Sequence, residues 1–119
     1  YSYRDYSAED VKGLVEQLHT DGWVVLPECI QPELVSELIA ASDKLMEQEG
    51  DGYGIPGKFA AISTIATKDE AYWDLLDNSN MLAVVRGFLG EDCLLQNFHV
   101  RNLHPGCEQT QGVHVDDIF

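Results

Sequence analysis

The chain has 119 residues, 45% of them hydrophobic, and a formal net charge of −14 from 21 acidic and 7 basic residues. That length and apolar content suit one domain with a core and exclude wholesale disorder. A chain this acidic, with no basic stripe, repels phosphate backbones, so neither nucleic acid nor an anionic membrane surface is an expected partner.

In chain order, Ser7-Ala8-Glu9-Asp10 reads as a helix start, with Ser7 as N-cap and acidic residues in the first turn. Val11, Leu14, Val15 and Leu18 follow at helical spacing, and Asp21-Gly22 should stop the helix because glycine takes the left-handed cap. Trp23-Val24-Val25-Leu26, ended by Pro27, has the signature of a short buried strand. A second helix is predicted from about Pro32, a favoured first-turn residue. Its apolar stripe is Leu34, Val35, Leu38, Ile39, Ala41, Ser42, Leu45 and Met46, and Gly50 ends it. Residues 51–57 read as a loop and 58–64 as a candidate strand. Residues 70–76 and 81–89 read as short helices divided by Asp77-Asn78-Ser79-Asn80, and Gly90-Glu91-Asp92 ends that stretch. Residues 93–103 are rich in strand formers, His104-Pro105-Gly106 is a turn, and residues 111–116 read as another strand.

Helices crowd residues 1–92, which also hold a short strand, and strands fill 93–119, so the expected class is α+β in a single domain. So small a sheet presents open edges, which predicts self-association by edge pairing. The longest apolar runs, residues 23–27 and 81–85, fall far short of a membrane span. No charged-then-apolar leader opens the chain, which points to a cytoplasmic protein. The opening Tyr1-Ser2-Tyr3, without an initiator Met, suggests an excised fragment. Cys29, Cys93 and Cys107 are odd in number and widely spaced, a pattern of reduced thiols and not of a disulfide frame or zinc cluster.

His114-Val115-Asp116 is the most informative chemical feature. Residues two apart on a strand share a face, so an imidazole nitrogen and a carboxylate oxygen can converge on one metal ion. Non-haem iron(II) oxygenases use such a pair with one more histidine. On spacing alone the pair has a second reading, an exposed edge-strand histidine beside acidic residues, because chance supplies roughly 0.4 such pairs in this chain. His99 and His104 are candidates in principle for a third ligand. Against this, His99 lies mid-strand between Phe98 and Val100, as packed histidines do, and His104 precedes Pro105 in a turn. His19 ends a helix, where a cation favours the dipole, and carries no assigned chemistry. Gly50-Asp51-Gly52-Tyr53-Gly54 is only superficially a phosphate loop: it follows a helix instead of a strand, and Pro56 blocks an immediate helix start. Trp23 and Trp73 read as core anchors.

Taken in order, several pieces resemble the phytanoyl-CoA dioxygenase family. They are Gly22-Trp23-Val24-Val25-Leu26-Pro27 before a Pro-started amphipathic helix, then Leu89-Gly90, then Leu94-Leu95-Gln96-Asn97-Phe98-His99-Val100-Arg101-Asn102. Pro105-Gly106 and Gln111-x-x-His114-x-Asp116 complete the order. The resemblance covers nearly the whole chain from about Val11. It implies N-terminal helices packed on part of a double-stranded β-helix (jelly-roll, cupin-like) core, and an oxidoreductase that binds Fe(II) and 2-oxoglutarate. By the same resemblance His114 and Asp116 are the first two iron ligands. Asn102 matches a strand position that approaches 2-oxoglutarate, and Gln111 matches a recurrent position three before the histidine.

Members of that family continue past this motif to a distal histidine ligand and to an arginine that pairs with the far carboxylate of 2-oxoglutarate. Neither has a counterpart here, since no histidine or arginine follows Asp116. The expectation is therefore a truncated core, the N-terminal half of a dioxygenase that hydroxylates a small organic substrate. The isolated chain is expected to be inactive, with weak or absent binding of Fe(II) and 2-oxoglutarate. Two alternatives stand beside it: a non-enzymatic acidic α+β interaction module, and one half of a split oxygenase. Nothing in the residues names the substrate or requires an acyl-CoA.

Overall fold

Helix caps written into the sequence set most of the element boundaries. The computed structural model describes residues 2–49 and 59–106. Helix α1 spans Ala8–Asp21 behind a reciprocal capping box: the Ser7 hydroxyl accepts the Asp10 N–H at 3.2 Å, and the Asp10 carboxylate accepts the Ser7 N–H at 2.9 Å. Gly22, at φ 76°, closes the helix by donating its N–H to the Leu18 carbonyl. Helix α2 spans Pro32–Glu49, strand β1 Phe59–Ser63, and a single 3-10 turn Ile65–Thr67. Asp69 caps α3 (Glu70–Leu76) by accepting the Ala71 N–H, and Asn78 caps α4 (Ser79–Leu89) by accepting the Met81 N–H at 2.9 Å. Helix α4 thus begins two residues before the expected start, because Asn78 serves as its cap while Ser79 and Asn80 join its first turn. Strand β2 is His99–Leu103.

The core gathers Ala41 and Leu45 of α2, Ile62 of β1, Ile65, and Ala71 and Tyr72 of α3. Leu34, Leu38, Met46, Phe98 and Val100 pack around it. The expected stripe of α2 supplies most of its inner face, although Ile39 is left exposed. The Tyr72 hydroxyl finds a partner in Ser42 Oγ at 3.0 Å, which satisfies a polar group taken out of water. Helix α1 lies on α4 at Gly87, where a Cβ would stand 2.9 Å from Val15 Cγ2. Strands β1 and β2 pair antiparallel with Phe59 opposite Leu103 and Ser63 opposite His99. The fold is α+β, four α-helices with a two-stranded antiparallel sheet among the described residues. No described helix is long and apolar enough to cross a membrane.

Asn80, only 3% exposed, fastens the N-terminal segment to this framework. Its Oδ1 accepts the Tyr6 N–H and its Nδ2 donates to the Arg4 carbonyl, both at 2.8 Å. The Tyr6 hydroxyl then donates to the Pro27 carbonyl, and the Arg4 N–H donates to the carbonyl of Glu28, a residue at φ 54°.

Three expectations need correction. Trp23-Val24-Val25-Leu26 forms no strand, and Trp23 and Val25 are 61% and 67% exposed. A β-branched run suits a pleat, but a strand also needs a paired neighbour, and none lies beside this segment among the described residues. Trp73 is not a core anchor either: α3 turns its neighbours Ala71 and Tyr72 inward, and a short helix buries one face only. The strand expected from residue 93 begins at His99, leaving Leu94 and Leu95 exposed in an irregular approach.

Candidate functional site

Of the residues singled out in the sequence, Gln111, His114 and Asp116 lie outside the described residues, as do Cys107 and the loop at 51–57. Asn102 is described and sits near the end of β2, opposite Ala60. Strand alternation puts Asn102 on the same sheet face as Val100 and Ile62, the face that packs toward α2. A groove of about 400 Å³ opens there. Ile30, Val35, Leu38, Ile39, Met46 and Val100 give it apolar walls, and Ser42, Asp43 and Asn102 line it with polar groups. Arg101 also borders it, although strand alternation sets its side chain on the other face.

The opposite face of the sheet carries His99, Arg101 and Leu103 on β2 and Phe59, Ala61 and Ser63 on β1. His99 is exposed, so the packed environment read from its neighbours in sequence does not apply; Phe98 and Val100 turn inward while His99 turns out. His104 follows β2 and is exposed, as expected of a turn residue. Among the described residues, no three or more His, Cys, Asp or Glu side chains come together as a metal-binding group.

Sequence reasoning missed Arg101. Its guanidinium lies over the Phe59 ring, 4.6 Å from the centroid. The signal was present in part, because Arg101 stands two residues after His99 in a strand-forming run and so shares its face. Its stacking partner is about forty residues away in sequence and could be found only once the strands were paired.

The strongest titration shift belongs to the scaffold. Two bonds from Arg4, at 2.9 and 3.0 Å, together with Ser7 hold the Asp10 carboxyl far below the usual carboxylate range. Burial pushes the Cys29 thiol up, which makes it a poor nucleophile. Asn78 holds Cys29 in place by donating to its carbonyl at 2.9 Å. Comparisons with protein-family models, with curated proteins and with solved structures found no match.

Proposed function

We propose that the chain carries the first ligand pair of a non-haem Fe(II)/2-oxoglutarate-dependent oxygenase, with His114 and Asp116 as the two ligands. The observation that carries this reading is the His-x-Asp spacing set behind Pro105-Gly106 at the end of an ordered series of family-like segments. One imidazole and one carboxylate are a donor set suited to iron(II) or manganese(II), and they make up two of the three groups of a facial triad. The layering supports the reading: helices cover one face of an antiparallel sheet that, in this proposal, belongs to a jelly-roll core. The exposed His99 and His104 are not assigned as the third ligand.

Bound iron with 2-oxoglutarate would supply oxygen activation for hydroxylating a C–H bond of a small organic substrate. In this reading the chain's own part is to supply His114 and Asp116 as metal donors, and to offer the Asn102 amide as a polar group near the keto acid. Gln111, three residues before His114, is the other position that the resemblance marks. The reading assigns no residue of this chain as the distal histidine or as the arginine for the far carboxylate.

Succinate release from 2-oxoglutarate, with Fe(II) and ascorbate present, tests the ligand count. The 119-residue polypeptide alone is expected at background. Robust turnover that His114→Ala abolishes would show that two ligands from this chain suffice, and would overturn the proposal of a partial site.

A further inference from the structure

The sheet face opposite Val100 and Ile62 holds side chains that the iron reading leaves unused. Three cross-strand pairs line it: Ser63 with His99, Ala61 with Arg101, and Phe59 with Leu103. None of the six is acidic, in a chain with 21 acidic residues. Arg4 and Arg86 are each ion-paired with a carboxylate, whereas Arg101 has no such partner among the described residues. Its guanidinium carbon lies over the Phe59 ring, and a guanidinium so placed can still offer its N–H fork to a bidentate acceptor.

His99 is exposed about 7 Å back along the same strand face, within reach of a ligand already held by Arg101. At the other end Leu103, 56% exposed, stands opposite Phe59 and makes an apolar margin. Second donor, cationic centre and apolar margin thus follow one another along roughly 13 Å of strand. The acidic residues elsewhere do not cancel this local charge, because fields decay over about 8 Å at physiological ionic strength.

We propose that this face binds a small organic carboxylate with an apolar body. Arg101 takes the carboxylate in a bidentate pair, His99 adds a second donor, and Phe59 with Leu103 cover the apolar part. The site uses neither His114 nor Asp116 and stands independently of the iron reading.

The test is a titration with sodium benzoate at constant ionic strength, followed by amide and Arg101 Nε–H shifts in two-dimensional NMR. Saturable shifts at residues 99–103 are expected, with a dissociation constant of about 1 mM. Arg101→Gln should weaken binding about tenfold or more, and Arg101→Lys, which keeps the charge without the fork, should also weaken it. Benzyl alcohol should not bind at the same concentrations, and a His114→Ala/Asp116→Ala double variant should bind benzoate as the parent does. Failure of benzoate to saturate, or equal binding by Arg101→Gln or of benzyl alcohol, would overturn the proposal. An acidic hexapeptide binding more tightly than benzoate would overturn the small-molecule assignment in favour of a protein partner.

Discussion

Ser7 with Asp10 and, by contrast, Asn80 show how differently side chains that hold the N-terminal segment can announce their roles. Ser7 and Asp10 are readable as a capping pair because helix caps are local, and both halves of the box form. Asn80 is not readable, because the groups it satisfies lie 74 and 76 residues away and nothing in its own neighbourhood marks it as buried. Removing its amide leaves the Tyr6 N–H and Arg4 carbonyl without their partner, so Asn80→Ala should cost about 1–3 kcal/mol in urea unfolding. An unchanged midpoint would mean that the N-terminal segment contributes nothing to stability. Asp10 sets a pH dependence. Its folded pKa is depressed by Arg4 and then by Ser7, so its contribution is complete above the unfolded carboxylate value of about 3.9 and is lost as the pH falls below it. Unfolding followed from pH 7 to pH 3 should show stability falling at the acid end, and Asp10→Asn should flatten that fall. An equal slope in the variant would place the acid sensitivity on other groups.

At the scale of elements, helices were predictable from local signals: periodicity with caps at both ends of α1, and a periodic stripe behind Pro32 in α2. The strands were less so. β1 appears within the expected run, but the run from Trp23 to Leu26 has the same kind of composition and stays unpaired. The difference lies in partners distant in sequence, which composition does not encode. The contact between α1 and α4 offers a sharper test through two glycines. Gly13 has nothing within 4 Å of a built Cβ, so Gly13→Ala should stabilise by about 0.5–1 kcal/mol from helix propensity alone. Gly87→Ala gains the same propensity but drives a methyl to 2.9 Å from the stiff, β-branched Val15. Overpacking costs about 1–3 kcal/mol, so the net change should be destabilising. Thermal melts of the two variants should move in opposite directions, and a parallel rise would mean that α1 and α4 separate freely.

For the whole molecule the α+β class was predictable, whereas the arrangement was not: β1 falls between α2 and α3 and pairs with β2, which follows α4. The proposed metal pair was readable only as a spacing in a resemblance, because ligand spacing is local while the geometry of a site comes from the complete core around it. Exposed Trp23, Val25, Leu94 and Leu95, together with a small open sheet, predict association at high protein concentration. Light scattering should detect it, and a clean monomer throughout would contradict it. The central claim concerns His114 and Asp116, and Mn(II) titration followed by the loss of the free-ion paramagnetic resonance signal tests it most directly. The parent chain should bind weakly, His114→Ala and Asp116→Ala should each abolish that binding, and His19→Ala should leave it intact. Equal Mn(II) affinity in all four proteins would contradict the assignment of this pair as metal ligands.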